Sequence, residues 1–123
     1  MSALILIIDD AEHLRAIMKM TLEFKGYTVH EAGDGREGLD AARAYSFDLI
    51  FCDIEMPVMN GIEFVRRFRA EVSLATPIVM LTAEGSGPIG HALSAGATAA
   101  VSKPFEPIRL LKEIERHLNQ TAD

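Results

Sequence analysis

The chain has 123 residues, 49% of them apolar, and a formal charge of -6, enough for one buried core and too little for two ordinary domains, so residues 1–123 are expected to form a single domain with no output domain. The acidic balance argues against a direct nucleic-acid surface, which depends on basic patches; the sole cysteine, Cys52, excludes an internal disulfide, and the four histidines show no zinc-type spacing. No apolar stretch approaches the roughly 20 residues of a membrane span, and the N-terminus lacks a signal peptide's basic flank and cleavage site, so no membrane contact and a cytoplasmic location are expected.

Ala3 to Ile8 form an apolar run ending in Asp9 and Asp10, with the length and branching of a strand buried on both faces. Leu14, Ile17, Met18, Thr21 and Leu22 then recur at helical spacing and stop near Gly26. Tyr27 to Ala32 read as a second, less apolar strand suited to a sheet edge, and Gly33-Asp34-Gly35 precede an alanine-rich helix through Ala44. Phe47 to Cys52 are the third strand, ending in Asp53, with Met56-Pro57 and Asn60-Gly61 marking the loop beyond it. Ile62, Val65 and Phe68 stripe the next helix, and Pro77 to Leu81 form a fourth strand that ends at Thr82. After the breaker-rich Gly85-Ser86-Gly87-Pro88 comes a weak helix to Ala95, then a fifth strand over Ala97 to Ser102 that Lys103-Pro104 ends, and a last helix striped by Leu111, Ile114 and Leu118. Strands alternating with helices in this way imply a doubly wound α/β fold: parallel strands, right-handed crossovers and helices on both faces of the sheet.

In such sheets ligands bind beyond the carboxyl ends of the strands, and Asp9, Asp10, Asp53, Thr82 and Lys103 all fall there. Each has a duller reading alone. Asp9 or Asp10 could cap the first helix, Thr82 could satisfy a loop backbone, and Lys103 could be a solvated charge. Together they bring three carboxylates, a hydroxyl and an ammonium to one end of one sheet. Converging carboxylates repel one another unless a cation relieves them, and a hard divalent ion such as magnesium favours oxygen donors of this kind.

The Asp9-Asp10 pair, Asp53 followed by Met56-Pro57 and Asn60-Gly61, Thr82-Ala83, and Lys103-Pro104-Phe105 together resemble the response-regulator receiver domains of two-component signalling, over essentially the whole chain. The resemblance implies a flavodoxin-like five-stranded parallel sheet of order 2-1-3-4-5. It implies that Asp53 accepts a phosphoryl group from the phosphohistidine of a sensor histidine kinase or phosphotransfer protein. It further implies that Asp10, Asp53 and the backbone carbonyl of Glu55 ligate magnesium or manganese, with Asp9 assisting through water, and that Thr82 and Lys103 contact the phosphoryl oxygens. A cis Lys103-Pro104 peptide is also implied. A stand-alone receiver would signal by reversible contact with an unknown downstream protein, or act in a phosphorelay, promoting its own phosphorylation and dephosphorylation without being an enzyme in the ordinary sense.

One position departs from the family's habit. Receivers commonly carry an aromatic residue three positions before the lysine, and here that position is Ala100, so the response to phosphate is expected to run through Thr82 and the segment after it, eased by Gly85-Ser86-Gly87. Glu55 and Glu84 would flank the phosphoryl group and read as solvated loop carboxylates able to tune dephosphorylation. Cys52 is expected to be a buried, inert thiol, and Arg109, Lys112 and Arg116 a solvated face or part of a docking surface. Among rivals, an aspartyl-phosphate phosphatase would use Asp53 and Glu55 but leave Asp9-Asp10 unexplained. A flavodoxin-like cofactor binder would want hydroxyls and backbone donors after the first strand, where two aspartates would repel phosphate. A degenerate receiver would not carry the full acidic, hydroxyl and lysine set.

Overall fold

The computed structural model of the protein describes residues 3–83 and 88–118. Five strands and five helices alternate: β1 (Leu4–Ile8), α1 (Glu12–Phe24), β2 (Thr28–Ala32), α2 (Gly35–Ala44), β3 (Leu49–Asp53), α3 (Gly61–Glu71), β4 (Ile78–Ala83), α4 (Pro88–Ala95), β5 (Ala99–Lys103) and α5 (Ile108–Leu118). The strands make one parallel sheet of order β2-β1-β3-β4-β5, as the family resemblance implies. The predicted strands are displaced by a residue or two at their ends, and Thr82 lies inside β4.

Alternation along the strands divides the interior into two layers. Leu6, Ile8, Ile50, Cys52, Ile78 and Met80 face α2, α3 and α4, against Leu39, Phe64, Phe68 and Ala92. Ile5, Ile7, Leu49, Phe51, Val79 and Leu81 face α1 and α5, against Met18, Leu22, Leu110 and Ile114. The apolar runs of β1, β3 and β4 therefore belong to strands covered on both faces. β2, with its mixed burial, lies at one edge of the sheet, and β5 at the other. Of the residues in α4 only Ala92 is buried, which accounts for its weak sequence signal.

On α5 Arg109, Lys112 and Arg116 stay in contact with solvent, as the sequence suggests, but the two arginines also reach a buried acid that the sequence pattern does not reveal. Glu113 is buried, its side chain 3% exposed, and Arg109 and Arg116 turn back to it at 3.1 and 3.5 Å, with His117 Nε2 at 3.3 Å. The two guanidiniums offset the charge on Glu113 Oε2, which helps a buried carboxylate to be tolerated, while Oε1 and His117 Nε2 have no hydrogen-bond partner among the described residues.

Candidate functional site

Each strand of the sheet's middle ends at a different functional group, and register brings those groups level. Asp53 pairs with Leu81, one residue before Thr82, while Thr82 and Ala83 pair with Ser102 and Lys103. β1 ends at Ile8, opposite Cys52, so Asp9 follows at the height of Asp53. Asp9, Asp10 and Asp53 each present a carboxylate oxygen within 4.8 Å of the others.

Lys103 binds the two buried carboxylates together: its Nζ donates to Asp9 Oδ2 at 3.1 Å and lies 3.4 Å from Asp53 Oδ1. Asp9 is fully buried, and its Oδ1 accepts from the Ala11 backbone N–H at 2.8 Å. This settles the capping alternative, since the N-cap of α1 is Ala11 and no side chain caps the helix. Asp10 is exposed. The Lys103-Pro104 peptide is cis.

Burial pushes the Asp53 carboxyl up to about 6; Lys103 pulls it down, and Asp9 and Asp10 push it up again. For Lys103, burial opposes the charge, but attraction to Asp53 and Asp9 wins and raises its pKa above the ordinary value. Burial, with Asp53 and Asp9 nearby, holds the Cys52 thiol well above the usual range. This is the inert cysteine expected from the sequence; its Sγ donates to the Asp53 carbonyl at 3.3 Å.

Asp53, Ile54, Glu55, Thr82, Ala83 and Lys103 line a cleft of about 210 Å³. Organic ligands usually occupy pockets of about 300–1,000 Å³, so this one suits a phosphoryl group better than a flavin. The Thr82 hydroxyl is buried and, among the described residues, makes one long contact, to the Ala83 carbonyl at 3.4 Å, beyond the usual hydroxyl range of about 2.5–3.0 Å. A small anion could therefore recruit it. The Glu55 side chain is exposed. Glu84 and Gly85-Ser86-Gly87 lie outside the described residues.

Three carboxylates against one ammonium leave the cluster with a formal charge of minus two. Its donors are all hard oxygens, which fits a divalent cation of the magnesium class. Among the described residues, Asp9, Asp10 and Asp53 are the side chains grouped closely enough to hold it.

Two contributions to the site were not read from the sequence: the structural role of the Asn60-Gly61 motif, and Arg15. Asn60-Gly61, which marks a loop by composition, starts α3: Asn60 Oδ1 accepts from the Glu63 N–H at 2.9 Å as the N-cap, and Gly61 N–H donates to the Ile54 carbonyl at 2.7 Å. Arg15, which looks like an ordinary basic residue of α1, sends Nη1 to the backbone carbonyl of Asp9 at 2.6 Å.

Comparison with known proteins agrees with this arrangement. The model of the response regulator receiver domain matches residues 5–115. The chain is 39% identical over 119 residues to the uncharacterized transcriptional regulatory protein YkoG of Bacillus subtilis, covering 96% of this chain and 52% of that protein. It is 34% identical over 122 residues to the transcriptional regulatory protein SrrA of Staphylococcus aureus, covering 98% of this chain and 50% of that one. The chain thus spans about half the length of the curated relatives it matches. Among solved structures, the chemotaxis protein CheY4 of Vibrio cholerae superposes with a TM-score of 0.89 at 41% identity, covering 96% of this chain and 100% of that one. The receiver domain of a sensor histidine kinase from Pseudomonas aeruginosa, with a magnesium ion coordinated in its active site cleft, gives a TM-score of 0.89 at 28% identity, covering 98% and 100%. Matched along most of its length in both sequence and fold, the chain belongs to the response regulator receiver domain family.

Proposed function

We propose that this domain accepts a phosphoryl group on Asp53 from the phosphohistidine of a sensor histidine kinase or phosphotransfer protein in the cytoplasm. In that step an Asp53 carboxylate oxygen attacks phosphorus in line, the new P–O bond forms as the P–N bond breaks, and the imidazole leaves. Lys103, already between Asp9 and Asp53, offsets charge on the transferring oxygens, and the Thr82 hydroxyl donates to one of them once it is seated. Asp10, Asp53 and the Glu55 backbone carbonyl would hold magnesium or manganese, with Asp9 acting through water. Bound there, the ion would neutralise charge on the phosphoryl group. Glu55, a solvated carboxylate at the rim of the cleft, would tune hydrolysis of the product by orienting or repelling the attacking water.

The aspartyl phosphate adds close to two negative charges and new acceptors, which favour the state in which Thr82 and Lys103 reach them. Transmission then proceeds by phosphorylation-dependent contact with another protein, or by onward transfer in a relay. The observation that carries the reading is a buried aspartate at a strand end, flanked by two more carboxylates and bonded to a lysine, facing a phosphate-sized cleft.

The test is intact-mass analysis after incubation with acetyl phosphate and magnesium. One added phosphoryl group is expected on the wild type and none on Asp53→Asn. Unchanged labelling of the variant would place the acceptor elsewhere.

A further inference from the structure

Of the three clustered carboxylates, two are held by partners of their own. Asp9 accepts from Ala11 N–H and Lys103 Nζ, and Asp53 faces Lys103. The Asp10 carboxylate, exposed at the mouth of the site, makes no hydrogen bond or ion pair with the described residues. Its place within 4.8 Å of the others is therefore set by the backbone that carries it.

Two side-chain contacts tether that backbone: on the far side of Asp10, Asp9 Oδ1 holds the Ala11 N–H, and on the near side an arginine holds the Asp9 carbonyl. Arg15 Nη1 donates at 2.6 Å to the carbonyl of Asp9, the oxygen of the planar peptide joining Asp9 to Asp10. Holding that oxygen fixes the tilt of the peptide plane, hence the rotation before Asp10 and the direction of its Cα–Cβ bond. The guanidinium is itself fixed from the far side: Nε donates to Glu31 Oε1 at 3.0 Å, Lys19 lies 3.3 Å from Glu31 Oε2, and only 16% of the Arg15 side chain is exposed. Arg15 thus struts the carboxyl end of β1 against edge strand β2. A guanidinium this near would oppose a divalent cation, and Glu31 offsets that charge.

We propose that Arg15 is a positioning residue for the acidic cluster: through the Asp9 carbonyl it aims the Asp10 carboxylate for divalent-cation binding. This rests on the phosphoacceptor reading. It assigns to an arginine with no direct contact to phosphate or metal a role in how tightly the metal is held. Partners that orient metal ligands commonly change affinity by about 10–100-fold when removed, and an ordinary α1 surface ion pair would leave affinity untouched.

The experiment is titration calorimetry of the metal-free protein with magnesium, beside thermal melts without metal and acetyl phosphate labelling at varied magnesium. Arg15→Ala is expected to weaken magnesium binding about tenfold and to slow labelling at low magnesium, with the maximal rate recovered at saturating metal. Arg15→Lys should regain part of the affinity, because an ammonium reaches the carbonyl or Glu31 but cannot bridge both. Arg36→Ala, on the exposed surface of α2, should bind magnesium as the wild type does. Wild-type affinity in Arg15→Ala overturns the proposal, whatever its melting temperature. Should that variant fail to fold, Glu31→Gln loosens the guanidinium while keeping an acceptor, and an affinity equal to wild type in it has the same force. A wild type that neither binds magnesium nor is labelled at Asp53 would instead overturn the phosphoacceptor reading.

Discussion

Gly61 sits directly against Asp53: a β-carbon on the glycine would collide with the Asp53 backbone carbonyl and press on Ile54 Cα. The first turn of α3 can approach the end of β3 this closely only without a side chain. The obstacle is backbone, which cannot rotate away. Gly61→Ala is therefore expected to cost about 1–3 kcal/mol through overpacking and to slow acetyl phosphate labelling by moving Asp53. A melting temperature and labelling rate equal to wild type would show that α3 yields without disturbing the site.

Val58 should be replaceable with profit. It has a φ of 69° and is 80% exposed, in a tight turn where Met59 N–H donates to the Pro57 carbonyl at 2.7 Å. A β-branched residue in the left-handed region is strained, and asparagine adopts that region more readily. Val58→Asn is expected to stabilise the protein by roughly 0.5–1 kcal/mol, read as a higher denaturation midpoint. A lower midpoint would mean that the valine side chain supplies packing which outweighs the strain.

Two charges beside Asp9, those of Lys103 and Asp10, should give opposite results in metal-free melts. Lys103→Met leaves a fully buried Asp9 without its cation and is expected to destabilise by roughly 1–3 kcal/mol. Asp10→Ala removes one of three repelling carboxylates and is expected to raise the melting temperature while abolishing most of the stabilisation that magnesium confers. Equal magnesium-induced shifts in wild type and Asp10→Ala would exclude Asp10 as a ligand.

Stability should also respond to pH through Asp53. Its folded pKa, about 6, lies above the ordinary 3.8, so between these values the folded state binds the proton more tightly than the unfolded one. Its contribution therefore falls as pH rises through this window and is level above it. In metal-free melts, Asp53→Asn should exceed wild type most clearly above about pH 6, with the gap closing as pH falls toward about 4. A gap independent of pH would mean that Asp53 is already ionised throughout.

Ala100 is half-buried and packs against the α2–α4 side of the core, with no ring to rotate. Activation by beryllofluoride and magnesium should therefore alter amide exchange chiefly in Pro88 to Ala95 and little in Ala99 to Ser102. Thr82→Ala should still be labelled at Asp53, because the hydroxyl is not the nucleophile, but with a smaller change in α4. Perturbation concentrated in β5 would overturn this route.

How far the sequence alone reaches can be judged residue by residue. Leu4–Ile8, Leu49–Asp53 and Ile78–Ala83 announce buried parallel strands because chains covered on both faces must be apolar throughout. Since every parallel strand ends at the same side of the sheet, their positions also foretell that Asp9, Asp53 and Thr82 gather at one end. Chain pattern does not dictate the strand order, which entered through family resemblance, nor the register that levels Asp53 with Leu81 and Lys103 with Ala83. Arg15 was illegible for a definite reason: its acceptor is a backbone carbonyl, present at every residue and marked by none. Glu113 escaped likewise, since solvated arginines at helical spacing look the same whether or not they also reach a buried carboxylate. Periodicity reports which residues lose water; which polar atoms then meet depends on distances between segments far apart in the chain, and those exist only once the sheet has formed.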